Sequence, residues 1–328
     1  MNSLSVWFTM AKFTKTPFAV AGSISIWTCT WPGSVGPGAP AAAPGMLGLS
    51  DMPGAYPETT PPGIAAAPGR GDGRPFDLPG GPDAALCLHG LTGSPFEVRY
   101  LAEALNRAGA RCLGPAMAGH ESLEALARTP WRDWVEEARR QLFRLEGARR
   151  TWVAGCSMGA LVACTLARQF PDRVDALVLL APALQLTWSG RLGAFLARHT
   201  PLARWRPHIP KRAGSDVADP EMRRLNPCMD AVPLAAVAEL EALATRVDAE
   251  LPGIRAPALV VAGGRDHTVT LFGAERMARR LGGARLVVLP ESQHLVGIDV
   301  ERDRCVAEVQ AFLQSLPRRA APAPTHSR

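Results

Sequence analysis

The chain has 328 residues, 47% hydrophobic and 20% charged, proportions that suit a globular protein with a large core. Its formal charge of +6, from 36 basic and 30 acidic residues, is small for this length, and the basic side chains form no RNA- or DNA-binding motif, so nucleic acid is not an expected partner. No stretch reaches the roughly 18 uninterrupted apolar residues of a membrane-spanning helix, which excludes that class.

Residues 1–82 hold 13 of the 31 glycines and 13 of the 30 prolines, with only eight charged side chains. Such a stretch cannot bury a continuous face, and most of it is expected to be a disordered extension. Lys12 and Lys15 precede a mildly apolar run over 18–28, but Gly22, Ser23 and Ser25 break it and no clear cleavage site follows. That makes a weak export signal at best, and the cytoplasm is the expected compartment. The seven cysteines are scattered, odd in number and without C-x-x-C spacing. They predict neither a disulfide framework nor a zinc site, and they suit a reducing environment.

From residue 83 to 316 short apolar runs alternate with amphipathic stretches. A strand is expected at 84–88 and a helix at 95–108, where Phe96, Val98, Leu101 and Leu105 share a face and Gly109 ends it. A strand at 110–113 follows, then a helix at 131–145 carrying Trp134, Val135, Ala138, Leu142 and Leu145 on one side. Next come a strand at 151–154, a helix at 158–168 and a strand at 176–180. Further strands at 257–262 and 285–289 and helices at 272–281 and 301–316 close the pattern. This alternation predicts an α/β fold, a mostly parallel central sheet with helices on both faces. The about 75 residues between the strands at 176–180 and 257–262 far exceed a simple crossover. They predict an inserted helical cap at about 183–255, with helices near 190–198 and 232–247. Residues 317–328 read as a disordered tail.

The chemical signal is Gly155-Cys156-Ser157-Met158-Gly159, a G-x-S-x-G pattern with an apolar strand before it and an Ala-rich helix after it. A serine on so sharp a turn presents its hydroxyl, and the glycines keep side chains out of the bend. Serine needs a base, and the base needs an orienting acid. His294 follows the last expected strand, at the sheet edge. Asp266 follows the strand at 257–262 across Gly263-Gly264-Arg265. Asp299 and Glu291 are rival acids, but neither ends a strand that precedes the histidine-bearing loop. The backbone N–H groups of Met158 and of Leu91, in Leu88-His89-Gly90-Leu91-Thr92-Gly93, are the expected oxyanion donors. Phe96 and Leu295, with Trp188 and Phe195 of the cap, are the expected substrate-binding side chains. Cys156 reads as a small packing thiol.

Taken together, the stretch 87–105, Gly119-His120, the run 129–134, the serine elbow, Gly264-Arg265-Asp266 and Ser292-Gln293-His294 fall in an order that resembles the α/β-hydrolases. More closely, the chain resembles bacterial carboxylesterases and monoacylglycerol lipases with a small cap, and Gly214-Ser215-Asp216-Val217-Ala218-Asp219-Pro220 looks like their lid. The resemblance covers roughly 83–316. It implies a Ser157-Asp266-His294 triad and a serine esterase acting, without metal or cofactor, on small-molecule esters. Glu121 departs from the glycine this family often has after its Gly-His pair. The motifs do not separate an esterase from a thioesterase or acyltransferase on the same triad. A catalytically silent binding module would lack a triad residue, and none is missing.

Overall fold

The computed structural model describes residues 69–188, 190, 192 and 207–317. Most of the expected N-terminal extension, the tail at 318–328, most of the cap helix expected near 190–198, and Phe195 lie outside the described residues. The Gly/Pro-rich region contributes structure before residue 82. Strand β1 (Phe76–Leu78) lies within it. Gly71 N–H and the Arg70 guanidinium reach across to the carbonyls of Leu225 and Asn226.

Beyond β1 the chain runs through β2 (Asp83–Leu88), α1 (Phe96–Arg107) and β3 (Arg111–Gly114). Helix α2 (Leu123–Arg128), capped by the Ser122 hydroxyl, fills what the sequence pattern leaves as a loop, and α3 (Trp131–Phe143) follows. Strand β4 (Arg150–Cys156) leads into α4 (Met158–Gln169) and β5 (Ala176–Leu180). The inserted segment adds β6 (His208–Pro210), α5 (Pro220–Leu225), β7 (Ala231–Pro233) and α6 (Leu234–Glu250). Strand β8 (Ala258–Gly263), α7 (Leu271–Arg280), β9 (Arg285–Leu289) and α8 (Arg302–Ser315) complete the fold.

Among the described residues the central sheet has seven strands in the order β1-β3-β2-β4-β5-β8-β9. Every neighbouring pair is parallel except the edge pair β1 and β3. Period-two alternation divides the core between the two faces. Along β2, Ala84, Leu86 and Leu88 enter a cluster with residues of α3, α4, α6 and α7. Ala85 and Cys87 enter the opposite cluster with α1 and α8. Burying strands on both faces requires near-continuous apolar runs, and β5, Ala-Leu-Val-Leu-Leu, is buried throughout.

The inserted segment is less detached than a separate cap would be. Leu240, Leu243, Ala244 and Val247 of α6 join the core cluster of α3 and α4. No described helix is long and apolar enough to cross a membrane. From β2 the chain turns to β3 on one side, and from β4 it proceeds to β5 on the other. This reversal opens a crevice at the C-terminal edge of the strands, between β2 and β4.

Candidate active site

Strand β4 hands directly to α4 through one residue. Ser157 stands there with φ 55° and ψ −110°, a backbone conformation that costs a side-chain-bearing residue roughly 1–3 kcal/mol. The turn is held by Ser157 N–H donating to the Leu180 carbonyl at 2.8 Å and by the Ser157 carbonyl accepting from Ala183 N–H at 3.2 Å. Glycine is required on both sides. A Cβ on Gly155 would come within 2.2 Å of the Gly159 carbonyl oxygen, and one on Gly159 within 2.3 Å of the Leu88 oxygen.

His294 and Asp266 reach the same place from the ends of β9 and β8. His294 Nε2 lies 2.9 Å from Ser157 Oγ, and His294 Nδ1 lies 2.8 Å from Asp266 Oδ2. The other oxygen of Asp266 accepts the N–H groups of Thr268 and Val269, each at 2.8 Å. Burial disfavours charge on Asp266, yet His294 and these N–H donors outweigh it and hold the carboxyl below its ordinary range. Burial likewise opposes the imidazolium, but Asp266, with Asp216 and Glu97 at longer range, more than offsets it and leaves His294 above its ordinary value. Both partners shift toward the charged pair, the electrostatics a general base needs once it has taken a proton.

The loop after β2 packs against this serine. A Cβ on Gly90 would lie 3.3 Å from Ser157 Cβ. Leu91 follows it and lines the crevice. Met158 opens α4, so its N–H has no preceding helical turn to bond. His89 is fully buried. Its Nδ1–H donates to the Gly90 carbonyl and its Nε2 accepts from Met117 N–H, which fixes the loop and the tautomer. Burial and the neighbouring His120 ring keep it neutral. Cys156, in the opposite core cluster, has its thiol pushed well up by burial and is chemically quiet.

The crevice is a cavity of about 310 Å³ above Ser157. Leu91, Leu186, Val232, Val237, Leu240 and Leu295 form an apolar wall, while Glu97, Lys211, Ser215, Asp216, His267 and Thr268 give it a polar side. Leu295 lines the cavity. Phe96 and Trp188 do not. Phe96 packs beneath Gly71, where a Cβ would fall 2.3 Å from its ring, and Trp188 is 78% exposed. Adjacent positions on α1 point roughly 100° apart, so the residue that faces the cavity is the next one, Glu97.

Glu97 is the site residue that sequence reasoning misses. Its carboxyl is buried, and its Oε2 accepts Gly90 N–H at 2.9 Å. A Cβ on Gly93 would strike this carboxyl at 2.2 Å, so the loop glycines make room for it. Burial pushes its pKa up, partly countered by the Gly90 N–H, Lys211, His294 and the Asn226 amide. A carboxylate in the first turn of a helix is the only local signal, and it is far too common to mark a site.

Residues 85–308 match the alpha/beta hydrolase family, and the chain belongs to that family. Over 248 residues it is 28% identical to a thermostable monoacylglycerol lipase of Bacillus sp. (strain H-257), spanning 73% of this chain and 93% of the relative. It is 25% identical over 248 residues to a carboxylesterase of Bacillus subtilis (strain 168), spanning 74% and 97%. Among solved structures it is similar to one described under LipS and LipT, two metagenome-derived lipolytic enzymes. There the TM-score is 0.68 and the identity 25%, over 77% of this chain and all of the other.

Proposed function

We propose that the chain hydrolyses carboxylic esters of small molecules through an acyl-enzyme on Ser157. One observation carries the reading: Ser157, His294 and Asp266, remote along the chain, form an unbroken hydrogen-bonded line of 2.9 and 2.8 Å at the floor of an apolar-walled cavity. His294 Nε2 takes the hydroxyl proton as Oγ adds to the ester carbonyl. Asp266 holds the Nδ1–H and stabilises the imidazolium. The N–H groups of Leu91 and Met158 bind the tetrahedral oxyanion, and the helix N-terminus favours the negative charge there. His294 then protonates the leaving alcohol, activates water against the acyl-enzyme, and returns its proton as the acid departs. No cofactor enters these steps. The apolar wall suits the acyl chain, and the polar side suits the alcohol. The names of the monoacylglycerol lipase and carboxylesterase relatives support an ester as substrate. The cytoplasm suits a chain whose described cysteines are all free thiols.

The test is a panel of p-nitrophenyl esters and monoacylglycerols of graded chain length, run on the full chain and on Ser157→Ala. The alanine variant loses about 10⁴-fold or more in kcat and all labelling by a fluorophosphonate. Ester turnover that survives the substitution overturns the nucleophile. Turnover of a coenzyme A thioester in place of esters reassigns the substrate and leaves the triad standing.

A further inference from the structure

The two residues that flank His294 both give their N–H groups to acceptors tied to the inserted segment. Gln293 N–H donates to Asp299 Oδ2 at 2.6 Å, and Leu295 N–H donates to the Asp216 carbonyl at 3.2 Å. Asp299 is fully buried. Its second carboxylate oxygen collects the N–H groups of Ala218, Asp219 and Val300 at 2.8, 2.9 and 2.8 Å. Four N–H donors thus satisfy a buried carboxyl group, two from the inserted segment and one from the loop that carries the base.

Asp216 reaches the other way. Its Oδ2 accepts His267 N–H at 3.0 Å and the Thr268 hydroxyl at 2.9 Å, and its Oδ1 pairs with His267 Nδ1 at 2.9 Å. These are the two residues that follow Asp266. A tie that only fastened the insertion could land anywhere on the rim. These ties land on the residue before the base, the residue after it, and the turn that holds the acid. The imidazole must keep both nitrogens in register with Ser157 and Asp266, and a displacement of about 1 Å costs on the order of 10²-fold in rate.

We propose that Asp216 and Asp299 are positioning residues, a two-carboxylate clasp through which the inserted segment sets the placement of the His294 base. The proposal rests on the Ser157–His294–Asp266 reading above. The segment 215–219 then belongs to the catalytic frame and stays in place while substrate enters elsewhere along the cavity. Asp266, Asp216 and Glu97 are the carboxyl groups that favour a charged His294, and Lys211 and His267 line the same cavity. Asp216 is the only one of these three carboxyl groups that the insertion supplies, and its charge favours the imidazolium.

The experiment compares wild type, Asp216→Asn and Asp299→Asn on a short-chain p-nitrophenyl ester. It measures kcat and KM, the pH profile of kcat/KM, the rate of fluorophosphonate labelling and the melting temperature. For Asp216→Asn, kcat is expected to fall about tenfold with KM changed less than about twofold, and the acid limb to move to lower pH. Asp299→Asn, which aims an amide N–H₂ at backbone donors, is expected to lose about 10²-fold in kcat. Labelling slows in step in both. Should Asp299→Asn fail to fold, Asp216→Asn, a partly exposed position, decides by itself. Unchanged kcat in a folded variant, a loss confined to KM, or an unmoved acid limb in Asp216→Asn overturns the clasp. A wild-type chain that neither labels nor hydrolyses esters removes the triad reading and the clasp with it. Wild-type labelling beside unaffected variants removes the clasp alone.

Discussion

At the scale of single residues, the site depends on how burial and neighbours divide charge among three carboxyl groups and one imidazole. In the proposed mechanism His294 must be neutral to accept the serine proton. Because Asp266 holds its pKa above the ordinary value of about 6.5, activity should rise with pH along an acid limb centred above that value. A kcat/KM profile centred below it would contradict this electrostatic picture. Asp266→Asn should keep the geometry yet lower kcat by about 10⁴-fold, because the amide favours the wrong imidazole tautomer; steady-state kinetics beside a melting curve separates that loss from unfolding. Glu97 is the opposite case. Burial raises its pKa, so it favours the fold most at low pH, below the ordinary carboxyl range near 4.3. That contribution is lost as pH climbs through the raised value. Glu97→Gln keeps an oxygen for Gly90 N–H and cannot ionise. Its melting temperature should match wild type at low pH and gain on it as pH climbs through the raised Glu97 value. A gap that stays constant over this range would show that Glu97 does not titrate as its surroundings require.

At the scale of elements, one connection does more than any other. The β4–α4 elbow places Ser157 by combining a left-handed serine with two glycines that face backbone oxygens. Gly159→Ala would drive a methyl into the Leu88 and His89 carbonyls, so about 3 kcal/mol of stability should be lost. Urea unfolding measures this directly, and a cost below about 0.5 kcal/mol would mean that the packing between β2 and α4 yields easily. At the far end of β4, Asp83 accepts from both Arg149 and Arg150 at 3.0 and 2.5 Å. Partial burial works against its charge, and the two guanidiniums overcome that and hold its carboxyl low. At the catalytic ends of the strands the His294–Asp266 pair is buried, while Arg265 and Glu291, just beyond β8 and β9, pair in the open.

At the scale of the whole molecule, the cavity exists because the insertion folds back onto the sheet. Helix α6 buries Leu243 and Val247 in the main core while Val237 and Leu240 line the space above Ser157. One wall of the cavity is therefore a helix that cannot move without opening the core. Val237→Trp should shorten the acyl chain accepted. KM for a ten-carbon p-nitrophenyl ester should rise about tenfold or more, while the acetate ester is little affected. An equal effect on both esters would place the acyl chain elsewhere.

Much of this was legible along the chain. The strands at 84–88, 151–154, 176–180 and 285–289 declare themselves because a sheet covered on both faces needs unbroken apolar runs, a short-range property. Ser157 declares itself for a similar reason: strand, tight turn and helix are contiguous. His294 and Asp266 follow from their places after strands, since parallel strands must all end at the same edge. What the linear order could not supply was side-chain direction and non-local contact. β1 hid in a Gly/Pro-rich stretch because an edge strand of three residues needs only its β3 partner, not a hydrophobic pattern. Phe96 turns away from the cavity and Glu97, which the pattern did not mark, faces it, because helix phase is set by packing across the molecule. Asp216 and Asp299 acquire meaning only when segments 80 residues apart share hydrogen bonds. Composition and local pattern determined the sheet, the serine and its chemistry, because these depend on neighbours in sequence. The tertiary structure alone decided which carboxyl groups surround the base and what shape the cavity takes, because a buried charge finds its partners in space.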